Sequence, residues 1–324
     1  MNIEENELFI NKFQPIYFKD FDCDNEMIDI LESFILIDNL NLLLIGDIAS
    51  GKTSILNSII KEYYKDYSYT DYVSNILYIN NLKEQGINYY RNDVKTFCQT
   101  CSIIKNKKKI IVLDDIDMIN EQSQQVFRNC IDKFNNKVHF IASCSNIQKV
   151  IENIQSRFNI IKLKPIQREI LVKILQKIKI NQNIIIDEDA EELIINLSNN
   201  TVKVLINYME KFKLLNTKIT LSLAMRLCSN ISFITFQEYT SYVKAQQLDK
   251  AIKIIYDLYD QGYSVIDIFD NYFLFMKSTT ILSEDDKYKI IPFLCKYITI
   301  FHNIHEDEIE LALFTNNLIN ILHT

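Results

Sequence analysis

The residues Gly46 to Thr53, G-D-I-A-S-G-K-T, restrict the architecture of this chain more than any others. Leu42 to Ile45 just before them is an unbroken apolar run, the pattern of a strand buried on both faces. Gly46 opens a turn. Gly51-Lys52-Thr53 then leads into Ile55, Leu56, Ile59 and Ile60, spaced for one face of a helix. Strand, G-x-x-x-x-G-K-T and helix together make the P-loop in the context that the motif requires. Such a loop works because its backbone N–H groups converge on a polyphosphate and the helix N-terminus adds a positive dipole end. Gly46, Asp47, Ile48, Ala49, Ser50, Gly51, Lys52, Thr53 and Ser54 are therefore the expected nucleotide-binding residues. Lys52 is expected to meet the outer phosphates, and the Thr53 hydroxyl to ligate Mg²⁺. The chain has only four glycines, and two of them sit here, so coincidence explains the match poorly.

A length of 324 residues allows two or three domains. The net charge of −7 argues against a surface coated in positive charge, but leaves local contact with DNA open. No run approaches the roughly 18–20 apolar residues that span a bilayer, so no membrane association is expected. Met1 to Glu7 is acidic and polar, unlike a secretory leader. The cysteines follow no framework, and the pair Cys98 and Cys101 lies in a helical pattern; reduced thiols in an intracellular compartment are expected.

Strands are expected at Ser74–Ile79, Ile110–Leu113, Val138–Cys144 and Ile160–Leu163. Helical periodicity covers Asn25–Ile37, Ile87–Cys101 and Glu121–Phe134, with Gly86 marking a turn. Alternating strands and helices predict a doubly wound parallel α/β domain with its ligand at the carboxyl ends of the strands. The basic run Lys105 to Lys109 reads as a solvated turn, with anion contact as the alternative. The third strand ends in Asp114-Asp115-Ile116-Asp117. After a P-loop, an apolar strand ending in acids is a Walker B pattern: the first acid holds the water shell of Mg²⁺ and the next polarises the attacking water. Ser145 and Asn146 follow the fourth strand, placed either to touch the γ-phosphate or to cap the next turn. Beyond Pro165 the pattern is helical throughout. The expected domains are an α/β nucleotide-binding domain over 1–165, a helical unit over 166–229 and a second helical unit over 230–324.

With these motifs in order, the chain resembles the small subunits of replication factor C, the sliding-clamp loader within the AAA+ ATPases. N-K-F-Q-P at 11–15 is similar to the family's E-K-Y-R-P, and G-I-N-Y-Y-R-N-D-V-K-T-F at 86–97 to R-G-I-D-V-V-R-x-x-I-K-x-F. S-Q-Q-V-F-R at 123–128 resembles A-Q-Q-A-L-R, I-E-N-I-Q-S-R-F at 151–158 resembles I-E-P-I-Q-S-R-C, and D-Q-G-Y-S at 260–264 falls where the family has L-G-Y-S. The resemblance implies an AAA+ domain, a helical lid and a helical collar joining five subunits in a ring. It implies ATP and Mg²⁺ as cofactors, and other loader subunits, a ring-shaped sliding clamp and primer–template DNA as partners. Arg157 then stands as an arginine finger acting in trans, Asp114 as the Walker B metal-side acid, Ser145 or Asn146 as the first sensor and Lys203 as the second. Lys83, Arg91 and Arg128 are candidate contacts to the DNA backbone. Val94, Phe97 and Cys98 are candidate clamp contacts, with core packing as the competing reading. A nuclear or viral replication site is the implied location.

The chain also departs from the family. Asp47-Ile48-Ala49-Ser50 stands where P-P-G-T is usual, and Asp115 replaces a Glu that is one methylene longer. Gln14, Gln85 and Asn129 replace arginines, which weakens phosphate contact. Two other functions therefore stay in view: a scaffold subunit that binds nucleotide without turning it over, and another AAA+ machine on DNA, such as a branch-migration motor.

Overall fold

The computed structural model describes residues 7–21, 25–79, 87–228, 231–279, 281–301 and 307–323. The chain separates into two compact units. The first comprises Met1–Leu171 with Thr201–Lys203, and the second Val172–Asn200 with Val204–Thr324.

The first unit is built on five parallel strands: β1 (Leu42–Ile45), β2 (Ile76–Ile79), β3 (Lys109–Leu113), β4 (Val138–Cys144) and β5 (Asn159–Lys162). Their order across the sheet is β2-β3-β4-β1-β5. The helices are α1 (Phe9–Lys12), α2 (Asn25–Leu36), α3 (Lys52–Tyr63), α4 (Tyr69–Tyr72), α5 (Ile87–Gln99), α6 (Glu121–Phe134) and α7 (Glu152–Gln155). β1 lies between β4 and β5, with Leu43 opposite Ala142 on one side and Ile160 on the other. Alternation along each strand sends neighbours to opposite faces. Leu43, Ile111, Phe140 and Ala142 pack with Val94 and Cys98 of α5 and Phe127 and Ile131 of α6. Leu42, Leu44, Val112 and Ile141 pack with Leu31 of α2 and Ile55, Leu56, Ile59 and Ile60 of α3. Both faces are covered, which is why these strands read as continuous apolar runs. The carboxyl ends of β1, β3 and β4 are neighbours, so the segments after Ile45, Leu113 and Cys144 meet.

The amino ends of the strands carry a buried polar knot. His139 of β4 is 1% exposed. Its Nδ1 accepts the Leu40 N–H at 3.3 Å, and its Nε2 faces Asp38 Oδ1 at 3.0 Å. The Tyr63 hydroxyl donates to the same Asp38 oxygen at 2.8 Å, and Lys108 Nζ donates to the Asp38 carbonyl at 2.9 Å. Lys107 Nζ donates to the Tyr63 carbonyl at 2.8 Å. Lys109 is 4% exposed, with Nζ donating to Phe97 O at 3.2 Å and to Thr100 Oγ1 at 2.5 Å. The expectation of a solvated turn at Lys105–Lys109 is thus corrected for its last three lysines. Each bends onto an acceptor of its own chain, because their long stems reach the end of α3 (Lys107), Asp38 after α2 (Lys108) and the end of α5 (Lys109).

The second unit is helical. It contains most of α8 (Arg168–Gln182) and α10 (Val202–Leu215). It also holds α9 (Glu188–Leu197), α11 (Leu221–Leu227), α12 (Phe233–Lys244), α13 (Leu248–Asp260), α14 (Val265–Ser278), α15 (Glu284–Phe301) and α16 (Ile309–His323). Its aromatic core joins Phe236, Tyr272 and Phe275, and Phe269 against Phe314. The fully buried Tyr239 hydroxyl meets Thr315 Oγ1 at 3.0 Å. Among the described residues no helix is long and apolar enough to cross a membrane. Six described cysteines are free, and Cys98, Cys130, Cys144 and Cys228 are buried.

Candidate nucleotide site

The loop between β1 and α3 has the backbone that its glycines require. Gly51 takes φ +89°, and a Cβ at Gly46 would lie 2.5 Å from Ser50 Oγ. Ala49 takes φ +63°, a left-handed conformation that costs an L-residue about 1–2 kcal/mol; the family carries glycine at this position. The departure at Ala49 is therefore accommodated at the cost of local backbone strain. Asp47 and Ile48 are exposed at the tip, so the Asp47 carboxylate does not fill the loop.

Lys52 opens α3 and is 7% exposed. Its Nζ donates to the Gly46 carbonyl at 2.9 Å, to the Asp47 carbonyl at 2.9 Å and to Ser145 Oγ at 3.0 Å. The ammonium is therefore aimed across the loop. Ser145 is brought beside it from the end of β4, as a first sensor would be. The Thr53 hydroxyl donates to Asp114 Oδ2 at 2.9 Å. Two hard oxygens from separate elements are thus held side by side, a donor set suited to Mg²⁺ and its waters. The first N–H groups of α3, at Lys52, Thr53 and Ser54, have no acceptor within the helix by its geometry. Ser50 Oγ is buried with no hydrogen-bond partner. A cradle of unmet donors, a buried ammonium and paired hard oxygens fits a polyphosphate with its divalent cation.

The acidic strand end divides into three roles. Asp114 Oδ1 accepts from Ser143 Oγ at 2.5 Å, and the Asp115 N–H donates to that same serine at 2.9 Å. Asp115 takes φ +54° and is exposed. Desolvation, together with the charges of Asp114 and Asp117, raises its pKa above the ordinary aspartate value, and Lys52 opposes that rise. Asp117 Oδ2 accepts the backbone N–H groups of Ser145 at 3.2 Å and Asn146 at 3.0 Å, while its Oδ1 is buried without a partner. Asn146 turns the other way. Its side-chain oxygen caps the short turn Ile147–Lys149 by accepting the Gln148 N–H at 2.9 Å, so of these two residues Ser145 is the one whose side chain meets Lys52.

Ser143, Asp117 and Gln124 are residues whose part the sequence did not assign. Ser143 is fully buried near the end of a mostly apolar strand and reads as a small core residue. The signal was a lone hydroxyl in β4 one strand over from two consecutive acids. Gln124 is also fully buried. Its amide donates to the carbonyls of Ile116 at 3.3 Å, Ile119 at 2.9 Å and Lys149 at 3.0 Å, and its Oε1 accepts the Ile151 N–H at 2.9 Å.

Arg157 follows α7. It grips Asp132 of α6 with two prongs, Nε to Oδ1 at 2.5 Å and Nη2 to Oδ2 at 3.1 Å. Its Nη1 donates to the Asn153 carbonyl at 2.6 Å and to Ser156 Oγ at 3.2 Å. The hydrogen bonds from Arg157 hold the Asp132 carboxyl below its ordinary pKa.

The family model described as ATPase family associated with various cellular activities matches residues 42–166, the stretch that carries this site. A putative replication factor C small subunit of Acanthamoeba polyphaga mimivirus is 28% identical over 284 residues, covering 87% of this chain and 87% of that protein. The replication factor C small subunit of Picrophilus torridus is 30% identical over 204 residues, covering 63% of each chain. Replication factor C subunit 5 of Mus musculus is 27% identical, covering 65% of this chain and 62% of its own. Over most of its length the chain is similar to replication factor C small subunits, and residues 42–166 match the AAA ATPase family model. For the Picrophilus and mouse relatives the match spans less than two thirds of their length. The solved structure of the Thermotoga maritima RuvB Holliday junction branch migration motor aligns over 86% of this chain and 98% of its own with a TM-score of 0.55 at 13% identity, which shows a shared fold.

Within the replication factor C pattern the other candidate residues fall as follows. Lys83 lies outside the described residues, as does the side chain of Arg91. Arg128 Nε lies 3.5 Å from Asp132 Oδ2, so this cation shares the carboxylate that holds Arg157. Val94 and Cys98 are fully buried in the chain's own core, which corrects their reading as a clamp-facing surface: a side chain without exposed area offers a partner nothing. Phe97 is half-buried, with Lys109 Nζ 4.4 Å from its ring centroid. Lys203 stands in the first turn of α10 and groups with the first compact unit.

Proposed function

We propose that this chain is a small subunit of a DNA sliding-clamp loader. It binds ATP with Mg²⁺, helps to grip primer–template DNA by its backbone, and loads a ring clamp with hydrolysis coupled to clamp release. The observation that carries the reading is the bridge from Thr53 to Asp114 beside the buried Lys52 ammonium. When bound, Mg²⁺ would offset the charge that develops on the phosphates. Lys52 exchanges loop carbonyls for anionic oxygens, which are stronger acceptors for an ammonium. Ser143 orients Asp114 by holding one of its oxygens, leaving the other to Thr53. Asp115 is the group placed to take a proton from an attacking water, and Asp117 fixes the backbone that presents Ser145. The division into a nucleotide domain over 1–165, a lid over 166–229 and a collar over 230–324 belongs to this proposal. So do a hetero-pentameric ring, Arg157 as a finger in trans and a nuclear or viral replication site.

The test is affinity capture of this chain under ATP from cells that express it, followed by mass measurement of the intact assembly. A hetero-pentamer that includes a larger subunit and releases a ring clamp on hydrolysis is expected. Recovery of a homo-hexamer on branched DNA would instead favour a branch-migration motor.

The shorter Asp115 carboxylate suggests slow turnover. Asp115→Glu is expected to raise the rate of ATP hydrolysis by this subunit about tenfold, a part of the roughly 10²–10⁴-fold that a well-placed general base supplies. Phosphate release from the assembly, with the other subunits' loop lysines substituted, measures it. An unchanged rate would mean that the aspartate already reaches the water.

A further inference from the structure

We propose that Asp132 is a latch for the Arg157 guanidinium, holding it within its own subunit until a neighbouring subunit's triphosphate competes for it. The inference rests on the reading of Arg157 as a finger in trans. A guanidinium carries five N–H donors in a fixed fork. Four are engaged inside this chain: Nε and one Nη2 donor by Asp132, and both Nη1 donors by the Asn153 carbonyl and Ser156 Oγ. The fork that fits a carboxylate with two prongs is the same fork that fits phosphoryl oxygens. The two partners therefore exclude each other, and the carboxylate also cancels the charge that the finger must deliver.

The pair is placed to open easily. The Arg157 and Asp132 side chains are 27% and 40% exposed, and ion pairs in contact with water are weak. Arg128 approaches the same carboxylate at 3.5 Å and divides its hold. Asp132 itself is fixed. It sits on α6 beside Cys130 and Ile131, which are buried in the core under the sheet. Asp132 is thus a positioning residue, acting on the neighbour's chemistry only through Arg157.

The test uses the assembled loader, with hydrolysis confined to the site that Arg157 serves by substituting the loop lysines of the other sites. Asp132→Asn is expected to raise kcat about two- to fivefold, the factor that an exposed ion pair represents, with KM for ATP unchanged. Asp132→Glu should return kcat to the wild-type value. In the Arg157→Ala background, Asp132→Asn should change nothing. Asp132→Ser serves as a second variant should the asparagine impair assembly. A kcat that falls or stays constant in Asp132→Asn overturns the latch, as does an effect that persists without Arg157. Failure of the finger reading shows differently: Arg157→Ala alone would then leave turnover at the wild-type level, and the latch would fall with it.

Discussion

Replacing Arg157 by alanine is expected to lower ATP turnover at the adjacent subunit's site roughly 10³-fold, the lower end of what arginine fingers contribute elsewhere. This chain's own nucleotide affinity should stay as it is. The expected size follows from where the charge is needed. A guanidinium reaching a transferring phosphoryl group acts where negative charge builds up, in a site sheltered from water. Within this subunit the Arg157 side chain only joins α7 to the surface of α6 through Asp132. Truncating it removes an exposed ion pair from this fold, and such pairs contribute little to stability. Single-turnover phosphate release, with nucleotide binding followed separately by fluorescence, distinguishes a lost finger from a damaged fold. Equal rates for wild type and variant would return Arg157 to the role of a surface salt bridge.

The second large effect concerns stability and lies at the opposite end of the sheet. Burial pushes His139 down to about 4, although the Asp38 carboxylate opposes that shift. The hydrogen bonds agree with the direction, because Nδ1 accepts the Leu40 N–H and a proton placed there would face another proton. In the unfolded chain the imidazole titrates at its ordinary 6.5. Between about pH 6.5 and pH 4 the unfolded chain binds a proton that the folded chain refuses. The contribution of His139 is thus fully present above pH 6.5 and is lost as the pH falls through this window, by on the order of 3 kcal/mol. Burial would raise the Asp38 carboxyl, but hydrogen bonds from Lys108, Tyr63 and His139 hold it below its ordinary 3.8, so its own loss comes at lower pH. Denaturant melts at pH 7.5 and pH 4.5 should show this fall in the wild type. His139→Gln should be less stable at pH 7.5 and show a much flatter pH dependence. A parallel fall in both proteins would place the acid-sensitive group elsewhere.

The strand ends were legible because parallel strands buried on both faces leave unbroken apolar runs, and Leu42–Ile45 and Val138–Cys144 have the bounds that the sequence suggested. The P-loop was legible because its backbone demands glycine and its chemistry demands lysine and a hydroxyl at fixed spacing. What stayed hidden shares one cause: a buried polar side chain takes its meaning from a partner far away in sequence. Ser143 meets an acid on the neighbouring strand, and Asp117 meets the backbone after β4. Lys109 read as part of a solvated run because composition does not reveal that its stem bends back onto the end of α5. On α5, periodicity identified the face that carries Val94 and Cys98 but could not say whether that face covers the chain's own sheet or a partner.

Gln124 joins the turn after the acids to the backbone on the way to Arg157 through one small amide. Under the proposed function, Gln124 would tie movement at the nucleotide end to movement of the segment that carries Arg157. In the proposed ring, word of what one pocket holds would pass to the next in a single sense of rotation. That would give the circle a direction.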